Sequence, residues 1–295
     1  MTTARFLDYI AYEKRYSQHT LNAYRSDLDQ FSAYLSEQYQ ITEISKADHQ
    51  MIRSWIVSLM ESGDTARTVN RKITTLKTFF RFMMKEGVVA ENPMTRVVAP
   101  KTSKRLPSFV EQESMDTLFN SISFEEGYPG ARDRMIMELF YATGMRLSEL
   151  IGLKDEDVDL VKNTLKVTGK RNKQRLIPFT KQTAGILSEY MGMKRKEFSG
   201  DTTEHYLFLT NKGEKLYPRL VYRIVRHYLD QVSTISKRSP HVIRHTFATH
   251  MLNNGADLNA IKEILGHANL AATQVYTHNT IEKLKSIYKQ AHPRA

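Results

Sequence analysis

Between Gly87 and Val110 the chain reads VVAENPMTRVVAPKTSKRLPSFV. Pro93, Pro100 and Pro107 each lack a backbone donor, so no helix or central strand runs through this stretch. It is a linker with a patterned region on either side. The expected organisation is a domain over 1–98, a linker over 99–108 and a second domain over 109–295. A chain of 295 residues with 41% hydrophobic content can fill two cores.

The first region reads as all-helical. Residues 3–15, 20–38, 47–61 and 66–85 are the expected helices. The last carries Val69, Ile73, Leu76, Phe80 and Met83 at helical spacing and stops at Gly87. Arg67, Arg71, Thr74, Arg81 and Lys85 fall together on its opposite face. Charge is unevenly distributed. Residues 1–65 hold six cations against nine acids, and residues 66–105 hold ten against two. With a whole-chain net charge of +11 and pI near 9.6, the expected partner is a polyanion, nucleic acid first. Cations on the 66–85 face suit phosphates, although a solvated charged face has the same pattern.

The second region opens with helices over 110–121 and 131–143. A break at Gly144 precedes a helix starting near Arg146, with Glu149 three residues on. A guanidinium at a helix start, beside free N–H donors, suits a phosphate. Glu149 either orients it or forms an ordinary i,i+3 pair. The period then changes: 158–160, 164–168 and 175–179 read as short strands, with Lys170 at the second turn. GKRNK lacks the spacing of a P-loop. Residues 180–240 return to helix, broken at Lys215–Pro218, and Arg219, Arg223 and Arg226 line the helix after the break. The fold class is therefore mainly α with a small antiparallel sheet.

Residues 240–278 carry the densest chemistry. A helix over 241–252 presents His241, Arg244 and His245 on one face. A second, 258–265, follows the N-cap candidate Asp257 and ends at Gly266, with His267 just beyond. Residues 271–276 continue as helix or extended chain to Tyr276. His245 and His250 lie on different faces and have no HExxH context, so no metal site is expected; His245 reads as a hydrogen-bonded packing residue. Residues 257–278 in isolation also fit a helix-turn-helix. There is no cysteine, which excludes disulfides and thiolate zinc sites. No signal peptide and no apolar run of about 18 residues is seen. A cytoplasmic protein with no membrane contact is expected.

Five segments in order, ATGMRLSEL, TGKRNKQRLIP, HVIRHTFATHML, LGHANL and QVYTH, resemble the tyrosine recombinase (phage integrase) family, most closely its Xer branch. The segment RTVNRKITTLKTFFRFMMKEGVVAENP is similar to the end of that family's helical, SAM-like core-binding domain. The resemblance covers nearly the whole chain. It implies that Tyr276 attacks a DNA phosphodiester to leave a 3′-phosphotyrosyl link and a free 5′-hydroxyl. Arg146 and Arg244 then hold the non-bridging oxygens, Lys170 protonates the leaving 5′-oxygen, and His241 serves as general acid/base. His267 hydrogen-bonds the phosphate, and Glu149 is a supporting acid. With DNA as the partner, the helical cations Arg67, Arg71, Arg81, Lys85, Arg219 and Arg223 are the candidate backbone contacts, a solvated charged face being the other reading of both helices. No cofactor is implied.

Arg171 and Gln174 depart from the family's usual glycine and glutamate in the hairpin, and Ala271 and Ala272 stand where small hydroxyl residues are common. The tail, with Ile281, Leu284 and Tyr288 at helical spacing, could by itself fold onto its own domain; in the family a similar tail docks onto a neighbouring protomer, so the resemblance implies a C-terminal assembly tail. The implied assembly is two domains clamping a duplex, four protomers on two DNA sites. A second Xer-type recombinase and a septal DNA translocase are possible companions. Chromosome dimer resolution leads as the function. A mobile-element integrase or invertase comes second, and a catalytically silent DNA-binding regulator is the rival of another class.

Overall fold

The computed structural model describes residues 2–102, 108–169, 172–198, 205–266 and 278–294. It divides into two compact units, Met1–Arg105 and Leu106–Ala295.

In the first unit, helix α1 (Thr2–Asp8) runs into a π-helical turn at Tyr9–Glu13 and is followed by α2 (Gln18–Tyr39), α3 (His49–Glu61) and α4 (Ala66–Lys85). Each of the three longer helices is started by a side chain that accepts from its first turn: Ser17 from Thr20, Asp48 from Met51 and Thr65 from Thr68. Val69, Ile73, Leu76, Phe80 and Met83 are all buried, with Phe6, Leu28, Phe31 and Trp55 opposite them. One polar group sits inside this packing. Asp27 of α2 is 1% exposed and takes Arg71 at 2.5 Å and the Thr75 hydroxyl at 2.8 Å. It therefore fixes α2 against α4 at one register.

The second unit is built around α6 (Gly127–Thr143), which is buried on nearly every side. It begins four residues earlier than periodicity suggests. Pro129 fits a first helical turn, and a Cβ at residue 130 would stand 1.7 Å from the Glu125 carbonyl oxygen, so only glycine admits this start. Before it lies α5 (Gln112–Asn120); after it come α7 (Leu147–Gly152) and strands β1 (Val158–Asp159), β2 (Thr164–Thr168) and β3 (Gln174–Pro178). The sheet is antiparallel in the order β1-β2-β3. Its register pairs Leu165 with Ile177 and Val167 with Arg175, which places Arg175 on the buried face.

Helices α8 (Lys181–Glu197), α9 (Pro218–Val232), α10 (Pro240–Asn253), α11 (Leu258–Leu265) and α12 (His278–Ala291) complete the unit. The expected return to helix across 180–240 needs correction. Residues 205–217 are non-helical, with single bridges Lys154 to Tyr206 and Leu209 to Lys215. Leu207, Phe208 and Leu209 are buried consecutively, as in a covered extended segment, and Gly213 takes a positive φ of 78° at its turn.

The C-terminal helix lies on its own unit. Leu284 and Tyr288 are buried, the Tyr288 hydroxyl donates to the Ala142 carbonyl at 2.7 Å, and Arg294 pairs with Glu138 at 2.9 Å. His292 donates from Nε2 to the Tyr141 carbonyl at 3.2 Å and stacks on Tyr288. Burial, with Arg294 and His250 nearby, pushes the His292 pKa down to about 4. The unfolded chain takes up this proton from about pH 6.5 downward, and the folded ring resists it until about pH 4. Stability is therefore lost as pH falls through that window, by about 2 kcal/mol between pH 7 and pH 5. Urea melts at both values check this: His292→Leu should remove most of that pH-dependent loss relative to the parent chain.

Candidate active site

The end of α11 is the foundation of the site. Gly266 terminates the helix with φ 67°, and its N–H turns back to Glu263 and Lys262. The carbonyls of Ile264, Leu265 and Gly266 are thus left without intrahelical donors, at the negative end of the helix dipole. Each is taken by a different arginine. Arg175 Nε donates to Ile264 at 2.7 Å, Arg244 Nη2 to Leu265 at 2.8 Å, and Arg146 Nη2 to Gly266 at 3.1 Å.

A second helix end shares the load. Arg244 Nη1 donates to the carbonyl of Gly144, the left-handed residue that closes α6, at 2.7 Å. A Cβ on Gly144 would stand 2.5 Å from the Phe247 ring and 2.7 Å from Leu265, so glycine permits both the positive φ and the approach of α10 and α11.

Glu149 joins the remaining edges. Its Oε1 accepts from Arg146 Nη1 at 2.8 Å and from Arg175 Nη1 at 2.9 Å. Its Oε2 accepts the Arg146 backbone N–H at 2.7 Å, capping α7, and Arg175 Nη2 at 2.9 Å. Burial alone would raise the Glu149 carboxyl. The Arg175 fork, its charge and the Arg146 donors outweigh that and hold it below the ordinary range. Arg244 is pulled down to about 10 by burial and by the charge of Arg146, so it stays cationic at neutral pH. Three guanidiniums around one carboxylate leave an excess of two positive charges. Such an excess in a partly desolvated site calls for an anion. Arg146 is far more open than Arg175, its side chain 34% exposed against 6%.

Arg146, Glu149 and Arg244, singled out from sequence, are therefore brought into one constellation. His241 lies exposed on the first turn of α10, three residues before Arg244 and on the same face. Lys170, His267 and Tyr276 lie outside the described residues. Their neighbours Gly169 and Gly266 abut the cluster: a Cβ on Gly169 would stand 3.2 Å from Glu149 Oε1.

Arg175 was missed by sequence reasoning, although alternation in QRLIP puts it on the same face as Ile177, where a cation needs a buried partner. The histidine expected to be hydrogen-bonded also differs. His250 is the buried one, sharing a 2.9 Å bond between Nδ1 and the Tyr141 hydroxyl, while His245 is half-buried.

Arg67, Arg71, Arg81 and Lys85 are exposed along α4, as are Arg219 and Arg223 along α9. Arg71 is partly committed to Asp27, and Lys85 lies 5.1 Å above the Tyr9 ring and 3.8 Å from Glu13. Among the described residues, no three His, Cys, Asp or Glu side chains converge as a metal site, and no helix is long and apolar enough to cross a membrane.

The model of the phage integrase family matches residues 108–283, and that of the phage integrase N-terminal SAM-like domain matches residues 3–87. The chain is 38% identical to a tyrosine recombinase XerC of Chlorobaculum tepidum, over 98% of this chain and 94% of that protein. It is 38% identical to XerC of Bacillus subtilis, covering 98% and 95% of the two chains. With XerD of Staphylococcus haemolyticus the identity is 37%, covering 98% of each. Among solved structures, XerH recombinase bound to palindromic difH substrate, a post-cleavage complex, superposes with a TM-score of 0.72. That match has 22% identity and covers 93% of this chain and 77% of the other. The Tn1549 transposon integrase in complex with transposon right end DNA gives 0.71 at 18% identity, covering 97% and 99%.

Proposed function

This chain belongs to the phage integrase family and is a Xer-type tyrosine recombinase, an enzyme that cuts and rejoins DNA; from that premise we propose which residues perform each step. The Tyr276 hydroxyl attacks the phosphorus of a DNA phosphodiester while its proton passes to His241. The bond from phosphorus to the 5′-oxygen breaks, and Lys170 delivers a proton to that oxygen. A 3′-phosphotyrosyl ester and a free 5′-hydroxyl remain. Rejoining is the reverse attack by a 5′-hydroxyl, with tyrosine leaving.

One phosphodiester is exchanged for another, so the bond energy is conserved and no nucleotide is consumed. A phenol near pKa ~10 is a weak nucleophile at neutral pH, so most of the acceleration falls to charge stabilisation at phosphorus. Arg146 and Arg244 hold the non-bridging oxygens, and His267 adds a hydrogen bond. The observation supporting this reading is the two-charge excess, fixed in place by helix-end carbonyls before any substrate arrives. Donors held this way need little reorganisation during the reaction.

DNA is the partner. Arg67, Arg71, Arg81, Lys85, Arg219 and Arg223 supply backbone contacts in this reading, with Arg71 the most restrained of them. We assign the chain to resolution of chromosome dimers in the cytoplasm, acting in a tetramer on two sites with a second Xer-type recombinase and a septal translocase. Its comparable identity to XerC and XerD relatives supports the Xer setting.

A nicked suicide duplex tests the chemistry. The short strand released on cleavage diffuses away and traps the covalent adduct, which denaturing electrophoresis detects. Adduct on a verified site is expected; its absence with the unaltered protein favours a silent DNA-binding regulator.

A further inference from the structure

We propose that Arg175 is a positioning residue for strand cleavage, acting through Glu149 and the end of α11 to set the spacing of Arg146 and Arg244. The inference rests on the assignment of those two arginines to the scissile phosphate.

Arg175 does not offer itself to DNA. It is 6% exposed, its Nε is taken by the Ile264 carbonyl, and both Nη groups are taken by Glu149. What it does is join three elements that sequence places far apart: β3, which carries it, α7, through Glu149, and the last turn of α11. Arg146 is then held from two sides, by Glu149 Oε1 and by the Gly266 carbonyl, and Arg175 binds the partner on both sides. On one side it shares the carboxylate. On the other it fixes the turn that presents the carbonyl. Arg244 draws on the same turn through Leu265.

A planar fork suits this task. Two parallel bonds to a carboxylate define its plane as well as its position, and the Nε leaves a third direction for a carbonyl. An ammonium supplies charge without that geometry. Contact is also tight. A Cβ on Gly266 would stand 3.0 Å from Arg175 Nη1 and 3.1 Å from Cζ, so the guanidinium is seated directly against the turn.

The test is a double-mutant cycle in single-turnover cleavage of the suicide duplex at saturating DNA. Arg175→Gln and Glu149→Gln are each expected to slow cleavage by about 10- to 100-fold. DNA affinity, measured with each change placed on Tyr276→Phe, should stay within about threefold of that parent. Because both act along one route to Arg146, the double variant should be no slower than the slower single. Arg175→Lys should regain thermal stability while remaining slow. Gly266→Ala, which displaces the fork without removing a charge, should also slow cleavage, and it covers the case in which Arg175→Gln does not fold. Multiplying losses in the double variant, or full recovery of rate by Arg175→Lys, would overturn the proposal. Failure of the unaltered chain to form adduct on a verified site would instead count against the reaction assignment itself.

Discussion

Tyr276→Phe is expected to abolish the covalent adduct, lowering cleavage by more than about 10³-fold while duplex binding is retained. The change removes one oxygen, the atom proposed to bond to phosphorus. The five positions proposed for phosphate handling and proton transfer are intact, so affinity, which is dominated by phosphate neutralisation, should hold. Cleavage on a suicide duplex and binding in a gel-shift assay separate the two effects. Adduct persisting at the parent rate in Tyr276→Phe would move the nucleophile elsewhere.

Arg244→Ala is the second large effect, and it acts on both catalysis and folding. Cleavage should fall by about 10²- to 10³-fold, the usual result of deleting one preorganised donor from a site of developing charge. The protein should also lose stability, because the Gly144 and Leu265 carbonyls each lose their guanidinium donor. About 2–3 kcal/mol is expected in urea unfolding. Arg244→Lys should recover part of the stability by serving one carbonyl, yet recover little of the rate, since an ammonium cannot span both helix ends and face a phosphate. Stability falling with the rate unchanged would confine Arg244 to a structural role.

The helices that periodicity and caps define were legible directly. α4 and α11 have the expected bounds, 66–85 and 258–265, because apolar spacing, a capping side chain and a terminal glycine agree at each. The errors have a common physical form. Leu207–Leu209 was read as part of a helical region because a short apolar run looks the same in a covered strand. The expected start of α6 at residue 131 misses its first turn, where Pro129 and Gly130 make a tight helix entry against the Glu125 carbonyl.

Within the site, Arg146 and Arg244 were found by motif, but nothing in the sequence shows how they meet. They meet through backbone carbonyls of Gly144, Leu265 and Gly266, and a carbonyl carries no side-chain signature. Arg175 is the instructive omission: its position on the buried face of β3 was readable from alternation, while its bond to Ile264 was not. The tail was expected to serve assembly, as the resemblance implies; helix α12 packs on its own unit, with the Tyr288 hydroxyl bonded to the Ala142 carbonyl.

The proposed reaction joins a tyrosine covalently to DNA held by this arginine cluster. The most direct measurement is to trap the adduct on a suicide duplex, digest both protein and DNA, and identify the nucleotide-bearing peptide by mass spectrometry. A 3′-phosphate ester on Tyr276, within the peptide spanning LAATQVYTH, is the expected result. A stable link to any other tyrosine, to a serine or to a 5′-phosphate would contradict it.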